Sequence, residues 1–141
     1  MTHTELMRDW YRRVWEDEDL DAISEFFVPD MTARGLVDDV QVGPDEFKAF
    51  VMAALALVCD VKIIIEKSIE DGDWVSMLLT FKATDRNTER EISVTGQALC
   101  KIVDGKIVDA YNHLDVIRLY EKLGLLPEYT LEICLMGERI G

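Results

Sequence analysis

The chain has 141 residues, 49% of them hydrophobic, and a formal net charge of −13 from 15 Lys+Arg against 28 Asp+Glu. That length holds one globular domain with a real core; the acidic charge argues against nucleic acid and anionic membrane surfaces, and no apolar run approaches the ~20 residues that span a bilayer. The N-terminal stretch MTHTELMRDWYRRVWEDED carries no signal-peptide apolar region, and Cys59, Cys100 and Cys134 are scattered without a C-x-x-C pair, so buried free thiols and a cytoplasmic protein are expected.

Thr2-x-x-Glu5 predicts a capping box. It opens a helix in which Leu6, Met7, Trp10, Val14 and Trp15 recur at helical spacing. A second short helix is predicted over about Leu20–Phe27, stopped by Pro29-Asp30. Two short strands are predicted within Met31–Val42, with Val37-Asp38-Asp39 as an exposed turn between them. Gly43-Pro44 starts a third helix, with Pro at its first position and a stripe of Phe47, Phe50, Val51, Ala54, Leu55 and Val58. From Asp60 the period changes to two. Strands are predicted over Val61–Glu70, Trp74–Thr84 and Arg90–Ile102, turned by Asp71-Gly72-Asp73 and by Asp85–Glu89. Asp104-Gly105 between alternating runs is a strong hairpin signal, so a fourth strand follows, then a short helix closed by Gly124. Helices first and an antiparallel meander afterwards predict an α+β domain.

The last strand carries the candidate chemistry. Alternation puts Asp109, Tyr111, His113 and Asp115 on one face, and Val108, Ala110 and Leu114, with Asn112, on the other. The titratable row faces either bulk water or a pocket. Asp115 reads either as the N-cap of the following helix or as a pocket carboxylate poised for proton transfer. His113, with an ordinary pKa near neutrality, is either a structural hydrogen-bonder or a proton relay. The sequence holds no nucleophile motif, metal-ligand spacing, phosphate loop or dinucleotide fingerprint. An enzyme built on it is expected to use acid/base chemistry on a neutral organic ligand.

Several pieces in this order carry a resemblance: Gly43-Pro44-Asp45-Glu46-Phe47-Lys48, Asp71-Gly72-Asp73-x-Val75, Thr95-Gly96, Gly105-Lys106-Ile107-Val108, the run from Tyr111 to Asp115, and Leu123-Gly124-Leu125-Leu126-Pro127. Together they resemble the NTF2-like superfamily and, within it, the SnoaL-like proteins related to polyketide cyclases. The resemblance covers about residues 4–127 of a single domain spanning 1–141, leaving 128–141 as a C-terminal extension that is either an extra strand or a segment laid over a partner. It implies an NTF2-like cone, with N-terminal helices packed on a strongly curved antiparallel sheet. It also implies an aspartate acid/base for an aldol ring closure with no metal and no organic cofactor; Asp115 stands at the matching position. Tyr111 stands where relatives often show tryptophan, and Arg34-Gly35 where many carry His-Gly. Tyrosines of the first helix often reach the cavity in this superfamily, which points to Tyr11.

The resulting expectation is acid/base cyclisation or isomerisation of a hydrophobic carbonyl-bearing substrate such as a polyketide. Asp115 and His113 would be catalytic, and Tyr111, Tyr11 and Arg34 would bind the substrate. The alternative is a non-catalytic module for a small hydrophobic ligand, and a third reading has the cone filled by Trp10, Trp15, Phe50, Trp74 and Phe81. With the odd-numbered face inside the cone, Val108, Ala110 and Leu114 face outward and predict a homodimer interface.

Overall fold

The structure, a computed structural model, describes residues 1–34, 40–41 and 43–141, and for 32–34 and 40–41 the backbone alone. The first helix, α1 (His3–Trp10), starts on the expected capping box: Thr2 Oγ1 accepts from Glu5 N–H at 3.1 Å and Glu5 accepts from Thr2 N–H at 2.9 Å. At Tyr11 the ladder widens into a π-helix, Tyr11–Glu16, whose exit is marked by an Asp17 N–H to Arg12 carbonyl bond of 2.8 Å. The predicted second helix resolves into a 3₁₀ turn, Leu20–Ala22, and α2 (Ile23–Phe26). Phe27 leaves the helix and opens strand β1 (Phe27–Arg34), which pairs with the short β2 (Val40–Gln41). Asp38 and Asp39 lie outside the described residues. Gly43 and Pro44 begin α3 (Pro44–Leu55) as the sequence predicts.

The meander follows as β3 (Val58–Asp71), β4 (Trp74–Asp85), β5 (Glu91–Val103) and β6 (Lys106–Leu114). The Asp104-Gly105 turn places both residues at positive φ, 51° and 73°, the geometry that suits the twist of a two-residue hairpin. Among the described residues six strands lie in the order β2-β1-β6-β5-β4-β3, with β1 parallel to β6 and the other pairs antiparallel. The fold is the α+β NTF2-like cone, helices inside the curve of the sheet. The core joins Met7, Trp10 and Val14 of the N-terminal helix to Val75, Met77, Ala98, Cys100 and Ala110 of the sheet.

Two expectations change. Ala110 is buried in the core at 4% exposure and Leu114 packs against it, so the even-numbered face of β6 points inward and these two residues are not an outer interface. A register irregularity between Lys101 and Ile102 explains the parity: Ile107 before it and Ala110 after it are both buried, and one extra residue moves everything beyond it to the other face. The C-terminal extension is a helix, α5 (Thr130–Leu135), rather than a strand. It docks on α4 (Val116–Lys122) through Arg118, which donates to Glu121 at 3.2 Å and to Glu132. Glu121 also accepts from Leu131 N–H at 3.3 Å. Among the described residues no helix is long and apolar enough to cross a membrane.

Candidate functional site

A cavity of about 130 Å³ lies between the N-terminal helix, α3 and the inner face of β3–β6. Its walls are aromatic and aliphatic: Trp10, Trp15, Phe47, Phe50, Ile63, Leu79 and Phe81. The π-helix supplies the first part of this wall. Bonds that span five residues instead of four bring positions five apart onto one face, and Trp10 and Trp15 are five apart. Trp10 is in turn fixed by stacking on Phe27 at 4.7 Å and by an edge contact with Phe26 at 5.5 Å. Phe47 bridges Trp10 and Phe50, at 5.5 and 5.7 Å. Rings held this way are preorganised around the void.

The polar groups of the cavity come from Tyr11 and from the end of the sheet, where Gly96, Gln97, Asn112, His113 and Leu114 close one side. Burial raises the Tyr11 hydroxyl well above its ordinary pKa, with the nearby Cys100 adding to the shift. The hydroxyl therefore stays neutral and able to donate. Cys100 itself is pushed up to about 12, by burial first and by the charge of Asp109 second, so it is an inert thiol.

Gly96 sets the closeness of the two strands here. A Cβ on it would meet the His113 carbonyl and Leu114 Cδ1 at 3.0 Å and Leu114 Cα at 3.1 Å. The same walls, Gly96, Gln97, His113 and Leu114, also line a second, more open groove that includes Thr95, Leu78 and Asp115. His113 is exposed, opposite Gln97 in the ladder and on the same odd-numbered, outward face as Tyr111 rather than inside the cone, and it borders cavity and groove at the end of the strand. Asp115 follows at the strand exit, where its N–H donates to the Thr95 carbonyl at 3.0 Å. Its carboxylate accepts from Arg118 N–H at 3.2 Å and so caps α4.

The sequence-predicted residues therefore fall in three places. Tyr11 is in the cavity wall. His113 and Asp115 stand together at the groove, the second of them capping a helix. Tyr111 is half-buried opposite Leu99, itself 38% exposed, on the outward face of the sheet. Arg34 pairs with Tyr111 along the parallel β1–β6 register, and its side chain lies outside the described residues. Asn112, Phe47 and Gly96 belong to the cavity and were not singled out from sequence. The signal for Asn112 was present: it is the one polar residue in the row Val108, Ala110, Asn112, Leu114.

The family model for SnoaL-like polyketide cyclase matches residues 5–123. Solved structures share the fold. A candidate polyketide cyclase from Acidithiobacillus ferrooxidans is 18% identical, with a TM-score of 0.75 over 89% of this chain and 99% of its own. AclR, a candidate hydroxylase from Streptomyces galilaeus, is 20% identical, with a TM-score of 0.73 over 89% and 100%. A Catenulispora acidiphila protein of ketosteroid isomerase-like fold, in complex with trimethylamine, is 16% identical, with a TM-score of 0.73 over 87% and 95%. No curated protein matches the sequence significantly.

Proposed function

On the premise that the chain belongs to the SnoaL-like polyketide cyclase family, we propose that it is an enzyme of acid/base chemistry acting on a hydrophobic carbonyl compound of the polyketide type, by aldol cyclisation or isomerisation. The observation that carries this reading is the shared wall. Gly96, Gln97, His113 and Leu114 line both the aromatic cavity and the groove that holds Asp115. A substrate seated with its apolar ring in the cavity brings the carbon next to its carbonyl to the rim. Asp115, with His113 as its partner, takes the proton from that carbon, leaving an enolate. In a cyclisation the enolate carbon then attacks a second carbonyl of the same molecule, and the alkoxide formed takes the proton back. Tyr11 binds the substrate inside the cavity.

The test uses acetophenone in deuterated water, with exchange of its methyl protons followed by NMR. The wild-type protein should accelerate exchange, and His113→Gln and Asp115→Asn should each lower the acceleration, Asp115→Asn by ~10²–10⁴-fold. Exchange no faster than in buffer would sink the catalytic reading. One observation favours a second reading, a non-catalytic module for a small hydrophobic ligand: the Asp115 carboxylate is already engaged as a helix cap. Binding of acetophenone without exchange would support it.

The proposed assembly is a homodimer through the outward sheet face, where Ile64 is 39% and Leu99 38% exposed. A monomer by sedimentation at micromolar concentration would contradict it. The free thiols Cys59, Cys100 and Cys134 suit the reducing cytoplasm, which is the compartment proposed.

A further inference from the structure

Arg118 stands between the candidate base and a segment that the family match does not reach. That match ends at residue 123, and α5 lies beyond it at Thr130–Leu135. The backbone N–H of Arg118 donates to Asp115 Oδ1 at 3.2 Å. Its guanidinium is held by two other carboxylates: Nη1 donates to Glu121 at 3.2 Å, and Nη2 donates to Glu132 of α5. Glu121 is 8% exposed and is fixed in turn by the Leu131 N–H at 3.3 Å. Glu132 depends on the arginine. Its other oxygen, Oε2, is buried with no hydrogen-bond partner among the described residues, and a buried charge is costly unless it is paired. The guanidinium is held above its ordinary pKa, first by its hydrogen bond to Glu132 and then by the charges of Glu132, Glu121 and Asp115. One cation is thus shared by three carboxylates, and the two that bond it are not the candidate base. The other charged or titratable groups on the elements packed here are His113 of β6, which lines the groove with Asp115, and Lys122 of α4, which donates to the Ser93 carbonyl of β5 at 2.6 Å.

We propose that α5 sets the strength of Asp115 as a base: Glu132 holds the Arg118 guanidinium away from the Asp115 carboxylate, which makes Glu132 and Arg118 positioning residues for the proton transfer. The proposal rests on the reading of Asp115 as the base, and it adds control by the C-terminal helix to that reading. The direction follows from charge. A cation brought onto a carboxylate favours its ionised form. With Glu132 in place the guanidinium is engaged elsewhere, and the charges of Glu121 and Glu132 offset its field at Asp115. With Glu132 neutral, Arg118 has one competing acid fewer and turns towards Asp115, which then holds a proton less tightly.

The experiment follows the side-chain carboxyl carbon of Asp115 by ¹³C NMR through an acid titration of the whole chain, its signal assigned as the one missing from Asp115→Asn. Glu132→Gln should move the titration midpoint down by about half a pH unit, less than a fully buried arginine imposes because the cluster is partly open to solvent. Arg118→Gln should move the midpoint up, and in that background Glu132→Gln should have little further effect. A Glu132 that served only to dock α5 would leave the midpoint where it is. A midpoint unmoved by Glu132→Gln, or one that falls as far when Arg118 is absent, would overturn the proposal. The titration needs no turnover, so the two readings fail separately. A midpoint that moves in a protein without acetophenone exchange removes the catalytic reading alone, and exchange with an unmoved midpoint removes this inference alone. Where both hold, the acid limb of the exchange-rate profile moves with the midpoint.

Discussion

At Gly96 the decisive quantity is a distance. A methyl group there has 3.0–3.1 Å to the backbone and side chain of the facing strand, less than ordinary contact, and the atoms it meets include main chain that cannot swing away. Gly96→Ala should destabilise by ~1–3 kcal/mol and should weaken binding in the cavity, because His113 and Leu114 must shift; denaturant melts with and without ligand measure both, and an unchanged midpoint would show that the strands part freely. The cysteines give a second check. Cys100 is 2% exposed, with its thiol pushed up to about 12, whereas Cys134 is exposed. A thiol reagent at mildly alkaline pH should label Cys134 in the folded protein and Cys100 only on unfolding. Equal labelling rates would mean that the wall around Tyr11 opens readily.

The C-terminal helix and its partner α4 are joined by charge. Arg118 holds Glu132 below the ordinary carboxylate range, chiefly through their hydrogen bond. A folded pKa that is depressed contributes stability above the unfolded value of ~4.3, lost as pH falls through the folded value. Docking of α5 should therefore hold near neutral pH and loosen in acid, and Glu132→Gln should loosen it at both. Hydrogen exchange of the amides of 130–135 reads this directly; protection unchanged in the variant would show that apolar packing alone holds the helix. Elements differ in how far the sequence reveals them. The capping box at Thr2, the start at Pro44 and the turn at Asp104-Gly105 were legible because each depends on a few neighbouring residues. The inward face of β6 was not. It depends on the irregularity at Lys101/Ile102, a property of strand pairing that leaves no mark in the alternation of β6 itself. The π-helix was also hidden, because Trp10 and Trp15 fit an α-helical pattern with Leu6, Met7 and Val14 almost as well. The extension alternates like a strand in Tyr129, Leu131, Ile133 and Leu135, yet folds as a helix because Glu121 and Arg118 offer it partners on α4.

The molecule as a whole joins an apolar chamber to a polar rim, and its chemistry depends on whether Asp115 does more than cap α4. The order of elements was enough to predict the cone, since helices followed by a meander have few compact solutions. The chemistry is less legible because the cap and the acid/base use the same carboxylate at the same place. They separate on substitution. Asparagine is as good a cap as aspartate, whereas alanine costs ~1 kcal/mol; neither can exchange a proton as a carboxylate does. The measurement that tests the account most directly is the rate of acetophenone methyl exchange in wild type, Asp115→Asn and Asp115→Ala, with thermal melts of the same samples. The account predicts a loss of ~10²–10⁴-fold in both variants, with stability lowered mainly in the alanine variant. An Asp115→Asn protein that exchanges at the wild-type rate would contradict it, and would leave Asp115 as a helix cap alone.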